Sequence, residues 1–343
     1  MSTLLETLRQ LVMLPGVSGF EDPVRNFLVK RLKELGLEPR VDSLGNVIVE
    51  IGEGRYTMLF CAHMDEVGLI VTYIEPDGKL KFRKVGGVDD RVLQQQIVQL
   101  YTPDGKSITG IIAVPPPHIQ LKRDQQIVPW HDLYIDLGLE SRQDVESLGI
   151  KPPCPAVLMK HFTVIGRGDH VAARSIDDRA GCAVLLELAK FLSSQHELHR
   201  KYRYVLAWTA QEEIGLRGAK ALTVNVHPDI VYVLDTVTCC NPVITGDMRL
   251  GAGPVLRILD NEFMAPVHVV RRIWELAREQ DIACQICTAG GTTDALELQE
   301  MNVPTVPIGI PVKYSHSSVE MCHVKDLEEW LKLMYMVAQT QIA

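Results

Sequence analysis

The sequence predicts an α/β protein in which helices lie on both sides of a mixed, mostly parallel sheet, with a small β-rich domain inserted into the chain. Two observations predict this class. Apolar residues at helical spacing alternate with short apolar runs near both ends of the chain, whereas closely spaced strand patterns with turn tripeptides fill the middle. A length of 343 residues favours about two domains. We therefore assign residues 1–69 and 163–343 to one discontinuous α/β domain and residues 70–162 to the insertion.

The first segment of the α/β domain carries two helix patterns and two strand patterns. Leucine and valine at helical spacing predict a helix over 3–13, which the following Pro-Gly pair ends. A second helix is predicted to begin near Asp22, because acidic residues favour the start of a helix. Apolar runs predict strands at 46–51 and 57–62, and the second run is apolar on both faces, which is typical of a buried central strand.

The insertion is predicted to consist of short antiparallel strands. Two Pro-Asp-Gly tripeptides, at 76–78 and 103–105, are hairpin signals, and three prolines at 115–117 with a polar run at 121–127 indicate an exposed loop. The strand patterns that flank the two tripeptides cover residues 68–75, 79–84, 97–101 and 108–113.

After the insertion, helix and strand patterns alternate again, and this alternation predicts a return to the parallel sheet. Helices are predicted at 180–194, 266–281, 293–301 and 324–341. Strands are predicted at 203–209, 230–235, 283–288 and 304–309.

The acidic composition excludes several classes of function. The chain carries 35 lysine and arginine residues against 43 aspartate and glutamate residues, a formal net charge of −8. A general nucleic-acid binder needs a basic surface, so we expect no nucleic-acid partner. No apolar run approaches the length of about 18 residues that a membrane span needs, and the N-terminus lacks a signal-peptide core. We therefore expect a cytoplasmic protein without membrane contact.

The eight cysteines are expected to remain reduced, because a large chain without a secretion signal seldom relies on disulfides. Cys284 and Cys287 form a C-x-x-C pair, but no second pair stands at the spacing of a zinc site. We interpret this pair as apolar packing on a strand rather than as a redox motif.

Two segments hold residues that can either bind metal ions or support local structure. His63 and Asp65 follow the strand predicted at 57–62. The histidine can ligate a metal while the aspartate fixes its ring, or both can be structural. Asp177 precedes the helix predicted at 180–194. It can cap that helix, since helix N-termini favour negative charge, or lend one oxygen to each of two cations.

Three further segments place metal-type side chains beyond apolar strands. Glu212 and Glu213 follow the strand predicted at 203–209, and burying two unpaired carboxylates is costly unless a metal or hydrogen-bond donors satisfy them. Asp235 ends another apolar strand, and His316 lies in a loop after the last one. Two histidines with three or four acids suit a two-cation hydrolytic site. Mixed nitrogen and oxygen ligands favour Zn²⁺, Co²⁺ or Mn²⁺ over Ca²⁺ or Mg²⁺.

Five segments, in this order and at these separations, resemble family forty-two of the metallopeptidases, the dinuclear aminopeptidases of the tetrahedral (TET) type. They are A-H-M-D-E-V-G at 62–68, S-I-D-D-R-A-G at 175–181, Q-E-E-I-G-L-R-G-A at 211–219, V-L-D-T at 233–236 and Y-S-H-S-S-V-E at 314–320. The resemblance covers nearly the whole chain and includes L-P-G-V-S-G-F-E near its beginning. The family includes glutamyl, leucyl and lysyl aminopeptidases, and some members carry endoglucanase names.

The resemblance implies a zinc-peptidase-like catalytic domain and a β-barrel-like insertion that mediates dimer contacts, with dimers assembling into a tetrahedral dodecamer. It also implies a role for individual side chains. One metal is expected on His63 and Asp235 and the other on Glu213 and His316, with Asp177 bridging them, Glu212 as general base, Asp65 orienting His63, and Gly291, Thr292 and Asp294 on the substrate side.

The main hypothesis is therefore an aminopeptidase that removes the first residue of short peptides, with metal-activated water and Glu212 as the base. One alternative uses the same cations to deacylate N-acyl amino acids. Another is a non-catalytic peptide-binding assembly, which the presence of all five ligand positions disfavours. Sugar hydrolysis is disfavoured because it calls for two carboxylates without metals, whereas two histidines occupy ligand positions here.

Overall fold

The computed structural model describes residues 2–114 and 127–342, which fold into a large mixed sheet, a closed barrel and a small three-stranded sheet. The strands are β1 (Arg40–Val41), β2 (Val47–Ile51), β3 (Tyr56–His63), β4 (Gly68–Ile74), β5 (Leu80–Val85), β6 (Ile97–Tyr101), β7 (Ser107–Ala113), β8 (Tyr134–Asp136), β9 (Cys154–Leu158), β10 (Phe162–Ile165), β11 (His170–Ala173), β12 (Tyr202–Thr209), β13 (Ile230–Thr238), β14 (Val255–Leu259), β15 (Gln285–Thr288), β16 (Thr305–Val312) and β17 (Glu320–His323).

The helices flank the large sheet and fill the connections between strands. They are α1 (Thr3–Val12), α2 (Asp22–Glu34), α3 (Arg142–Ser147), α4 (Ile176–Ser193), α5 (His196–Lys201), α6 (Arg217–Asn225), α7 (Pro242–Thr245), α8 (Val267–Glu279), α9 (Ala295–Leu298) and α10 (Val324–Ala338), with 3₁₀ turns at Asp90–Val92, Trp130–Asp132 and Gln299–Met301. Within the described part of the chain, no helix is long and apolar enough to cross a membrane.

The large sheet has eight strands in the order β1-β2-β12-β3-β13-β16-β14-β15. Its four central strands, β12, β3, β13 and β16, run parallel, so their carboxyl ends meet at one edge. Helix α4 packs on β3 and β13 and also contacts α1 and α10. The prediction of an α/β fold with a mixed, mostly parallel sheet is confirmed.

The middle of the chain forms a closed six-stranded barrel in the order β4-β5-β8-β7-β6-β9. The barrel encloses an apolar core of its own, separate from the core under the large sheet. Both Pro-Asp-Gly tripeptides make the predicted hairpin turns, with φ of +83° at Gly78 and +81° at Gly105, values that favour glycine. The predicted loop of prolines 115–117 and polar residues 121–127 lies, up to residue 126, outside the described residues.

Some elements differ from their predictions. The helix predicted at 293–301 is wrong as a single element, because α9 continues into a 3₁₀ turn and Asn302 is left-handed at φ +59°. The sheet β10-β11-β17 is not predicted by the sequence, since β10 is largely exposed and carries no alternation of buried and exposed residues. All eight cysteines are free thiols, and Cys287 is buried in a small apolar cluster, as apolar packing requires.

Candidate metal centre and active site

The carboxyl edge of the large sheet collects the metal-type side chains. His63 is the last residue of β3 and pairs with Thr209, the last residue of β12. Asp235 lies one residue beyond the pairing of Leu234 with Ala62, so it stands level with His63. The remaining residues arrive on connections: Asp177 at the start of α4, Glu212 and Glu213 in the turn after β12, and His316 in the loop between β16 and β17.

The inner part of the site consists of His63, Asp177 and Asp235. Nε2 of His63 lies 3.3 Å from Oδ1 of Asp177 and 3.8 Å from Oδ1 of Asp235. One ligand atom from each of these buried residues falls within 4.8 Å of the other two. This spacing lets one divalent cation contact all three.

The outer part of the site shares Asp177 with the inner part. Nε2 of His316 lies 3.5 Å from Oδ2 of Asp177 and 3.3 Å from Oε1 of Glu213. The hydroxyl of Ser315 donates a hydrogen bond of 2.7 Å to the same Oδ2. The two carboxylate oxygens of Asp177 therefore face different imidazoles, which is the arrangement of a residue that bridges two cation positions.

The site holds more carboxylates than the two imidazoles of His63 and His316 can balance in charge. Burial raises the pKa of Glu212 well above its usual range and that of Glu213 to about 8, and burial together with the nearby Asp177 charge raises that of Asp235 to about 7. Burial lowers the pKa of His316, but Asp177 and Glu213 outweigh this and raise it to about 9. Buried carboxylates in surplus over imidazoles fit divalent cations, because a cation removes the repulsion and satisfies the oxygens.

Asp65 supports the site from below, and its side chain is fully buried. Its Oδ1 lies 3.5 Å from Nδ1 of His63, on the ring side opposite the cation-facing nitrogen. Its oxygens also accept the backbone N–H groups of Glu212 at 3.0 Å and Glu213 at 3.2 Å, and the hydroxyl of Ser18 at 2.6 Å. Asp65 thus fixes the turn that presents both glutamates, a role that the sequence does not reveal.

A cleft of about 590 Å³ opens above these side chains. Gly291 and Thr292 line it, whereas Asp294 does not: Asp294 is buried, and its Oδ2 accepts a 2.5 Å hydrogen bond from the hydroxyl of Thr209. Arg257, which lies outside the five sequence segments, also lines the cleft. It forms a 3.1 Å ion pair with Asp260.

A further histidine cluster lies away from the cleft, on the small sheet. His170 and His323 are cross-strand partners with ring centroids 4.6 Å apart, and Asp169 is close enough to complete a metal-type group. However, Nδ1 of His170 is bonded to Asp169 at 2.7 Å, and Nδ1 of His323 accepts the Lys325 amide at 3.0 Å and caps α10. Local structure therefore accounts for this cluster.

Comparison with known proteins identifies the family. The model of the M42 glutamyl aminopeptidase family matches residues 45–333. The glutamyl aminopeptidase of Lactococcus lactis is 30% identical, covering 94% of this chain and 92% of its own, and the lysyl aminopeptidase of Pyrococcus furiosus is 29% identical, covering 96% and 94%. The structure of the Pyrococcus horikoshii TET1 peptidase is 41% identical, covers 99% of this chain and all of its own, and superposes with a TM-score of 0.93.

These matches define a hydrolase that acts on peptides, of the aminopeptidase class. The chain belongs to the M42 family of peptidases, and the resemblance inferred from the five sequence segments is confirmed.

Proposed function

We propose that this aminopeptidase removes the N-terminal residue of short peptides with two divalent cations, Zn²⁺ or Co²⁺ with Mn²⁺ as a further possibility. The ligands are His63 and Asp235 for the inner cation, Glu213 and His316 for the outer one, and Asp177 for both. The observation that carries the proposal is the geometry of Asp177, whose Oδ1 faces His63 at 3.3 Å while its Oδ2 faces His316 at 3.5 Å.

The cations would supply Lewis-acid polarisation of the scissile carbonyl and a lowered pKa for water. Glu212 supplies the proton transfer: its side chain is almost fully buried, lines the cleft and belongs to the same turn as the ligand Glu213. A carboxylate oxygen of Glu212 takes a proton as water attacks the carbonyl carbon, and returns it to the leaving nitrogen as the C–N bond breaks. Asp65 holds the imidazole of His63 and the backbone of Glu212 in place for this step.

The barrel supports a proposal about assembly. Ile97 and Ile111 are cross-strand partners on its surface and are 45% and 52% exposed, so they form an apolar pair open to contact. The Pyrococcus horikoshii relative is described as assembling into a tetrahedron or a large octahedral shell. We infer that residues 70–162 form a dimerisation domain, that residues 1–69 and 163–343 form the catalytic domain, and that dimers assemble into a dodecamer.

Replacing the proposed base while keeping its size tests the mechanism. Glu212→Gln is expected to lower turnover of aminoacyl-anilides by about 10²–10⁴-fold, because a neutral amide cannot accept the proton. Cation content, measured by elemental analysis of the dialysed protein, should remain at the wild-type value. The matched control is the adjacent Glu213→Gln, which should lose cation as well as turnover.

Two results would contradict this assignment. Wild-type turnover in Glu212→Gln would exclude it as the base. Release of amino acids from N-acylated substrates, with no activity toward free aminoacyl-anilides, would replace aminopeptidase activity with deacylation.

A further inference from the structure

Glu320 joins two of the proposed cation ligands through their backbones. It is the first residue of β17, and its side chain is buried. Oε2 accepts the backbone N–H of Asp177 at 3.0 Å, and Oε1 accepts the backbone N–H of His316 at 3.1 Å. One carboxylate thus ties together two segments that are far apart in the chain.

Both tied segments contain backbone conformations that L-residues seldom adopt. Ser175, two residues before Asp177, has φ +61°, and the loop of His316 has φ +62° at Tyr314 and φ +61° at His316 itself. Such left-handed residues persist only where surrounding contacts hold them. The oxygens of Glu320 accept one backbone N–H group from each segment, and hydrogen bonds to an ionised carboxylate are stronger than bonds between neutral groups.

Glu320 is itself held in place by Arg174. Nη1 of Arg174 lies 3.6 Å from Oε1 of Glu320, and Nη2 donates a 2.6 Å hydrogen bond to the carbonyl of Val67. Glu320 neither lines the cleft nor belongs to a described group that could hold a cation. It therefore acts on the site through Asp177 and His316 rather than as a ligand.

We propose that Glu320 is a positioning residue that sets the separation of Asp177 and His316 and thereby governs retention of the outer cation. This inference rests on the proposed two-cation function. The inner cation depends less on Glu320, because His63 and Asp235 are carried by β3 and β13 in the large sheet. Loss of the Glu320 carboxylate should consequently loosen the outer position first.

The chain offers a matched control. Asp326 is a buried carboxylate that also accepts two backbone N–H groups, those of Gly251 and Gly253, each at 2.7 Å. It does not line the cleft. Asp326→Asn therefore removes the same kind of backbone clamp as Glu320→Gln without touching a proposed ligand.

The experiment compares Co²⁺ binding by the full chain in the wild type and in the two variants, using calorimetric titration of the metal-free proteins and thermal melting. In Glu320→Gln the amide NH₂ group faces one of the backbone N–H groups, so one clamp bond is lost. One of the two Co²⁺ dissociation constants, that of the outer position, should rise by about 10–100-fold while the other changes little. Saturating Co²⁺ should restore most of the turnover. Asp326→Asn should lower the melting temperature and leave both constants unchanged.

Several outcomes would overturn the proposal. Unchanged Co²⁺ constants in Glu320→Gln, or equal weakening of both cations in both variants, would leave Glu320 with a merely structural role. If Glu320→Gln does not fold, Glu320→Asp, which keeps the charge but has a shorter reach, should show the same selective weakening. A wild-type protein that binds only one Co²⁺ would instead refute the two-cation function and this inference with it.

Discussion

Two buried charged clusters lie side by side in this protein and are built in opposite ways. The carboxylate cluster comprises the six side chains proposed to serve the cations: His63, Asp177, Glu212, Glu213, Asp235 and His316. The Glu66 cluster comprises Glu66, Lys160, Arg174 and Arg179. The clusters share segments of chain, since Glu66 follows Asp65 directly and the two arginines flank Asp177.

In the Glu66 cluster, one carboxylate is surrounded by three cationic side chains. Nζ of Lys160 lies 2.6 Å and 2.7 Å from the two oxygens of Glu66, and Arg179 and Arg174 lie 3.5 Å and 3.8 Å from that carboxylate. Burial raises the pKa of Glu66, but these three cations outweigh it and hold the pKa below its usual value. None of its four side chains lines the cleft.

The carboxylate cluster holds four acids against only two imidazoles. Burial and mutual repulsion raise the pKa values of three of its acids, Glu212, Glu213 and Asp235. Burial also acts on Asp177, but His316 and His63 outweigh it and hold the pKa of that carboxyl well below its usual range. Burial of charge alone therefore does not mark a functional site. What marks it is a surplus of carboxylates that faces a cleft.

The largest effect on stability is expected from removing the carboxylate of Glu66. Glu66→Gln leaves Lys160 and Arg179 buried without an anion and leaves Arg174 with Glu320 alone, so we expect a loss of about 3–5 kcal/mol in the free energy of unfolding. Chemical denaturation measures this change. Glu34→Gln, at an exposed position in α2, is the control and should be nearly silent. A Glu66→Gln variant as stable as this control would remove the distinction between the clusters.

Removal of the cations should have the next largest effect on stability. This effect should depend on the carboxylate cluster alone. Saturation at about 100 times the dissociation constant stabilises a protein by about 2.7 kcal/mol per site. Treatment of the wild type with a chelator should therefore lower the melting temperature, and Zn²⁺ or Co²⁺ should restore it. Asp235→Asn, which removes a ligand from the inner position, should reduce this chelator response, whereas Asp77→Asn on the barrel should keep it. If the melting temperature of the wild type does not change on chelation, the carboxylate cluster does not depend on bound cations for its stability.

The sequence predicts the carboxylate cluster far better than the Glu66 cluster, for a physical reason. His63 ends an apolar strand, Glu212 follows another and Asp235 lies in the second half of a third, and parallel strands bring their carboxyl ends to one edge. Strand patterns in the sequence therefore predict that side chains at the carboxyl ends of these strands lie close together. Their exact pairing, above all the two-sided contact of Asp177, requires coordinates.

The partners of Glu66 and Glu320 carry no comparable signal. Lys160 reaches Glu66 from a segment beyond the barrel, and Glu320 bonds to backbone N–H groups, which every residue other than proline possesses. Asp294 shows the converse: its motif suggests a substrate contact, yet its side chain turns inward to Thr209. A side chain's direction depends on φ and ψ in loops, and sequence patterns do not determine these angles.

The smallest expected effect is a pH dependence that distinguishes the clusters in the cation-free protein. Asp235 and Glu213 have folded-state pKa values of about 7 and about 8, above the ordinary 3.8 and 4.5, so between pH 5 and 7 the folded chain holds protons that the unfolded chain has released. Stability must then fall as pH rises through this window. Glu66, with a lowered pKa, contributes its full stabilisation above pH 4.5. The pKa of Lys160 is lowered from 10.5 to about 7, so between these values the unfolded chain holds the extra proton and Lys160 contributes a slope of the opposite sign. We expect the melting temperature of the chelated wild type to decrease from pH 5 to pH 7, and Asp235→Asn to flatten that slope.

Added cations should abolish this slope, because they displace the same protons. A slope that persists unchanged in saturating Co²⁺ would place its origin outside the carboxylate cluster.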